Sequence, residues 1–234
     1  MVVAASIARA ADPGATTRPL PPKPTSHIVR QIEGWTVEVD DRLLNGPDKQ
    51  LGTRAIALLA EHLNKISGVM PAQKLARLKQ VHIWLDLSHG GLRSAQYHPS
   101  KGWLKANGYD VALEKCVHIP DARDFVSPRL QHDQPWMVLH ELAHAYHDQV
   151  LGFEEPRILA AWKKFKASGK YESVKHVSGR MVRHYGLTDQ KEFFAEMSES
   201  YFGKNDFYPF DQQELKKAEP ELFQLLEQIW GTIQ

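Results

Sequence analysis

His140-Glu141-Leu142-Ala143-His144 is the stretch on which the reading of this chain turns. On a helix, residues four apart share one face and stand about 6 Å apart along the axis, so both imidazoles can reach one ion. Glu141 projects beside them, where a carboxylate can take a proton from water on that ion. A catalytic zinc needs three protein ligands and an open position. The motif supplies two. Alone, it competes with a chance match on an amphipathic helix, since the chain carries 12 histidines.

The third ligand is the discriminating question. In the metzincin pattern a glycine follows the second histidine by three residues and a third histidine follows it by six. Those positions hold His147 and Val150, which rules that class out. Further on, Glu192-Phe193-Phe194-Ala195-Glu196 places two carboxylates at i and i+4 on a second helix, expected over residues 190–202. Phe193, Phe194, Met197 and Tyr201 make that helix largely apolar, so its carboxylates are expected to be partly buried. Buried carboxylates need a partner, and a metal is one. One of the two can ligate while the other orients a ligand histidine. The alternative is a solvated acidic face.

These two motifs carry a resemblance. His140-Glu141-Leu142-Ala143-His144-Ala145, followed by Tyr185-Gly186-Leu187-Thr188-Asp189-Gln190-Lys191-Glu192-Phe193-Phe194-Ala195-Glu196, resembles the catalytic domain of anthrax lethal factor and its relatives. These include the Pro-Pro endopeptidases, within the gluzincin branch of zinc peptidases. The resemblance covers about residues 134–203. It implies that His140, His144 and Glu192 bind one zinc ion and that Glu141 is the general base. It also implies that Tyr185 stabilises the oxyanion or protonates the leaving group, and that Glu196 stands behind a ligand histidine. The family often has an acidic residue three positions beyond the second histidine. Here that position is His147, followed by Asp148. Asp148 is read as an acceptor behind a ligand or as a solvated surface group, and His147 as a surface or supporting histidine rather than a ligand.

Around this centre the chain reads as α+β. Residues 28–32 and 35–39 are expected as strands around Glu33-Gly34, 49–67 and 72–79 as helices, and 81–87 and 115–120 as strands. Asp133 is expected to cap a helix over 134–151 with Pro135 in its first turn. Further helices are expected over 162–168 and 211–230, the last broken near Pro220. The fold class expected is a zincin-like metallopeptidase domain, a small mixed sheet packed on the motif helix with a helical C-terminal half. Residues 116–119 are the candidate edge strand for an extended substrate. Cys116 is expected to be buried and inert.

Residues 12–27 hold five prolines and read as an extended tether, so 1–27 is set apart from a single catalytic domain over 28–234. Residues 2–8 are apolar and Ala8-Arg9-Ala10 is like a signal-peptidase site, although a basic n-region is missing. A secreted or periplasmic location is the expectation. The 29 basic and 28 acidic side chains give a net charge of +1, no electrostatic case for nucleic acid. No apolar run reaches membrane-spanning length. One cysteine excludes an internal disulfide and any multi-cysteine metal site. The basic run Lys163, Lys164, Lys166, Lys170 and Lys175 reads as a solvated face, and His89-Gly90-Gly91 has no G-x-S-x-G elbow to serve. The expected activity is zinc-dependent hydrolysis of a peptide or protein substrate by a monomer. A non-catalytic peptide-binding module with a vestigial or structural zinc, and a zinc hydrolase of non-peptide amides, are the alternatives.

Overall fold

The computed structural model describes residues 20–233, so the expected leader remnant and the first part of the tether lie outside the described residues. Strands β1 (His27–Ile32) and β2 (Trp35–Asp40) form a hairpin whose two-residue turn, Glu33-Gly34, takes positive φ at both positions, as a type I′ turn requires. Helices α1 (Lys49–Val69) and α2 (Ala72–Leu78) lead into β3 (Ile83–Leu85). Then come β4 (Gln96–Tyr97), α3 (Lys101–Ala106) and β5 (Val117–Ile119). The remainder is chiefly helical: α4 (Ala122–Phe125), α5 (Pro128–Asp133), α6 (Met137–Tyr146) and α7 (Pro156–Ala167). A short hairpin of β6 (Val174–Lys175) and β7 (Met181–Val182) precedes α8 (Gln190–Phe202), α9 (Gln212–Ala218) and α10 (Pro220–Trp230).

The main sheet is mixed, with strand order β1-β2-β3-β5-β4. The β2–β3 and β3–β5 pairs are parallel, and both outer pairs are antiparallel. Val37 and Val39, Ile83 and Leu85, and Val117 and Ile119 line one face and are buried in the main core. Leu59, Leu63 and Ile66 of α1 and Val138, Leu139 and Leu142 of α6 share that core. By the two-residue period of a strand, Trp84 and His118 point to the other face.

Three expectations are corrected. Residues 116–119 are not the edge: β5 lies between β3 and β4, and the two-residue β4 takes the edge. The helix expected over 134–151 is two helices and a π-turn. Ser127 caps α5 with Pro128 in its first turn, and Gln134, ahead of Pro135, is forced out of helical geometry. The chain then re-enters helix at Met137 and widens into a π-turn at His147–Leu151. The helix expected over 162–168 begins earlier, at Pro156, capped by the Glu155 carboxylate. The expected break before Pro220 is present, with Glu219 extended between α9 and α10. The tether's end is packed: Ser88 Oγ donates to the Pro22 carbonyl at 2.7 Å and His27 already belongs to β1.

Gly52 permits the close approach of α1 to the turn after β2. A Cβ there would stand 1.8 Å from the Leu43 carbonyl oxygen. Alanine would gain about 1 kcal/mol in helix propensity, but overpacking against backbone costs about 1–3 kcal/mol. Gly52→Ala is expected to lower the urea midpoint, and a rise would show that the turn yields freely.

Candidate metal centre

Helices α6 and α8 pack side by side, and their polar faces meet inside an otherwise apolar seam. His140 and His144, one turn apart on α6, set their rings edge to face at 4.7 Å. Glu192 is in the first turn of α8, whose start is fixed by Asp189. That carboxylate accepts from Lys191 N at 2.8 Å and Glu192 N at 3.0 Å. A glutamate three residues after a cap commonly folds back on the cap's own N–H. Here it reaches across instead. Glu192 Oε2 stands 3.2 Å from His140 Nε2 and 3.3 Å from His144 Nε2.

These separations are those of ligands around an ion. A tetrahedral centre with bonds of about 2.0 Å holds its ligand atoms about 3.3 Å apart. Tautomer chemistry agrees. His140 Nδ1 lies 2.7 Å from Glu199 Oε1, so in the neutral ring its proton belongs on Nδ1. Nε2 then turns a lone pair towards the Glu192 carboxylate, an arrangement that a second proton or a cation between them would satisfy. Burial lowers the His140 pKa, but hydrogen bonds to Glu192 and Glu199 outweigh it and the net shift is well upward. Burial likewise raises Glu192, yet His144 and His140 hold it far below the usual carboxylate range. The donor set fits a divalent ion that replaces the His140 proton.

Glu141 is buried on the same turn of α6. Its Oε2 accepts the backbone N–H of Tyr97 in edge strand β4 at 2.7 Å. Burial raises its pKa, and the neighbouring His140 and His144 partly offset this. Tyr185 opens the 3-10 turn Tyr185–Leu187 just before α8. Gly186 N–H donates to His184 Nδ1 at 3.0 Å, and Trp162 Nε1 donates to the Gly186 carbonyl at 3.1 Å, which pins that turn. Burial first, then the Glu192 charge, pushes the Tyr185 phenol up, so it stays a donor. His184 itself is buried against Phe207 and Phe165 and remains neutral.

Other expected positions differ. Glu196, expected behind a ligand histidine, does stand on that side of His140, 3.9 Å from Nδ1, but the hydrogen bond there is made by Glu199. Glu192, Glu196 and Glu199 fall at i, i+4 and i+7, one face of α8, so the pattern was present in the sequence. Asp148 supports no histidine: its carboxylate accepts from the Tyr97 hydroxyl at 2.7 Å and pairs with Lys115. His147 is neither surface nor support. It is fully buried between Phe153 and Phe194, its nitrogens have no partner, and burial drives its pKa down to about 4. Tyr97 was missed altogether, although it ties β4 to α6 through its N–H and its hydroxyl.

The geometry brings two imidazoles and one carboxylate together as a group that could hold one metal ion. Residues 123–230, less than half of the chain, match the family model described as glucose-regulated metallo-peptidase M90. The match spans both α6 and α8 and supports a metal-dependent peptidase. No curated protein and no solved structure matches the chain.

Two outcomes are expected. Glu199→Gln should keep the fold but weaken metal affinity by about 10–100-fold, because the carboxylate that orients His140 is lost; unchanged affinity by competitive titration would remove that role. Behind Glu199, burial and the Glu199 charge raise the Asp206 pKa to about 7. A carboxyl raised on folding stabilises below its unfolded pKa of about 3.9, and that stabilisation is lost as pH rises through its folded value. In chelator-treated protein, Asp206→Asn should therefore flatten the decline of the urea midpoint between pH 4 and pH 8.

Proposed function

We propose that this chain is a zinc-dependent endopeptidase of the lethal-factor-like, zincin type, with His140, His144 and Glu192 as the zinc ligands. The observation that carries the reading is the convergence of two imidazole nitrogens and one carboxylate oxygen at 3.2 and 3.3 Å beside the buried Glu141. Zinc suits the set because imidazole and carboxylate are among its usual ligands, and three of them leave a position open. When bound, the ion supplies Lewis acidity that polarises a carbonyl and lets water lose a proton near neutral pH.

The residues supply the rest. The Tyr97 N–H occupies Glu141 Oε2 and leaves Oε1 to take the proton from water and pass it to the departing amine. The raised Glu141 pKa brings that carboxylate closer to the working pH, where proton transfer in both directions is efficient. Tyr185, kept protonated, donates to the oxyanion. Glu199 holds His140 in the tautomer that presents a lone pair at Nε2. The extended substrate lies along edge strand β4, which is antiparallel to β5 and tied to Glu141 by Tyr97.

An unbiased peptide library, with and without chelator, tests the activity; absence of any metal-dependent cleavage would favour a binding module or a non-peptide amide substrate. Glu141→Gln should retain zinc and lose about 10²–10⁴-fold in kcat. Tyr185→Phe should lose about 10²–10³-fold at unchanged zinc content. Full activity in Glu141→Gln would take that residue out of the reaction.

A further inference from the structure

On the other face of the sheet, three imidazoles gather around a single buried carboxylate and a fourth stands behind one of them. Asp86 follows β3 directly, and its backbone is fixed by hydrogen bonds from Asp86 N to the Ile119 carbonyl and from Ala122 N to the Asp86 carbonyl. Its Oδ1 is 2.7 Å from His27 Nε2, and its Oδ2 is 2.6 Å from His89 Nδ1 and 2.8 Å from His118 Nε2. His98 Nε2 lies 3.2 Å from His118 Nδ1. Asp86 and His118 are fully buried, and His89 and His98 nearly so. The histidines come from the start of β1, the turn after β3, the end of β4 and the middle of β5. No hydrolytic role uses any of them.

We propose that Asp86, His89 and His118 form a second divalent-metal site, for zinc or a similar ion, with His27 on the other carboxylate oxygen holding Asp86 in place. Two imidazoles and a carboxylate, buried and away from any substrate cleft, are ligand types that zinc takes. The ligand atoms of Asp86, His89 and His118 all lie within 4.8 Å of one another. In the hydrogen-bonded form the separations are 2.6–2.8 Å. A tetrahedron with bonds of about 2.0 Å needs about 3.3 Å, so the imidazoles withdraw by about half an ångström as the ion enters. Each ligand ring turns a lone pair to the ion by carrying its proton on the other nitrogen. His118 then donates from Nδ1 to His98 Nε2, the supporting bond that ligand histidines usually make.

An entry path exists. A cavity of about 360 Å³, lined by Lys23, His27, Trp84, His89, Tyr109 and Asp110 among others, opens onto His89 and His27. The ion would join the end of β3, the turn leading into β4, and β5, and through His27 on Asp86 it would hold β1 as well. It would thus fix the edge strand whose Tyr97 N–H meets Glu141. Occupancy itself does not depend on the hydrolytic reading.

Metal content of the full chain, loaded with Zn²⁺ and then dialysed, tests the site, with Co²⁺ absorption as a second measure. The wild type should hold two equivalents, and both His89→Gln and Glu192→Ala should each hold one, with different Co²⁺ spectra. Should His89→Gln fail to fold, His27→Gln at the rim should weaken Zn²⁺ binding at this site by about 10–100-fold, because it removes the group that orients Asp86; unchanged affinity there overturns the site. One equivalent in the wild type, lost in Glu192→Ala but kept in His89→Gln, overturns the second site and leaves the peptidase reading standing. Two equivalents retained in His89→Gln overturn it as well. One equivalent lost only in His89→Gln supports this site and removes the other.

Discussion

The contact on which the candidate site depends is the imidazole of His140 held between two carboxylates of α8. Glu199 takes one ring nitrogen at 2.7 Å and Glu192 faces the other at 3.2 Å. Around them the seam is apolar: Phe193, Phe194 and Met197 from α8, Leu139, Leu142 and Ala143 from α6. Water is largely excluded, so charges interact more strongly there than at a surface, and unpaired ones are correspondingly costly. A divalent ion resolves the arrangement better than a proton does. It serves His140, His144 and Glu192 together, whereas the His140 proton on Nε2 does nothing for His144.

That seam positions His140, His144 and Glu192 but not Glu141. Glu141 is oriented from the opposite side, by the backbone of a strand only two residues long. Tyr97 ties that strand to α6 twice, through its N–H to Glu141 and through its hydroxyl to Asp148 at the π-turn. The π-turn itself rotates the helix after His144, which takes Asp148 towards the sheet edge and His147 into the core. A residue three positions beyond a ligand thus becomes a neutral core imidazole, and its neighbour becomes an anchor for the edge strand.

How much of this was legible follows from the range of each interaction. The spacing of His140 and His144 and the apolar frame of Glu192 are periodic features of single helices, so they stood in the sequence. The Glu192, Glu196, Glu199 stripe stood there too, and choosing between the last two needed the offset of α8 against α6. Strand order is a tertiary property: β5 reads like an edge strand because Pro120 follows it, yet β4 covers its free side. Two residues, Gln96 and Tyr97, are too few to show a period. The four histidines of the Asp86 cluster are scattered over the front half with no common spacing, and only the folded sheet assembles them.

The division of labour between the two halves of the chain has a physical consequence. Residues 123–230, the part that matches the peptidase family model, contain His140, Glu141, His144, Tyr185, Glu192 and Glu199. Tyr97 and the Asp86 cluster lie outside it. The ligand set could form wherever α6 packs on α8, but the carboxylate of Glu141 would then carry its buried charge without the one backbone donor the structure gives it. Such a group either becomes protonated or turns towards solvent, and in either form it is a poorer base. The front half of the chain therefore does more than cover the core. Through the Tyr97 N–H it holds the buried Glu141 carboxylate from the sheet side.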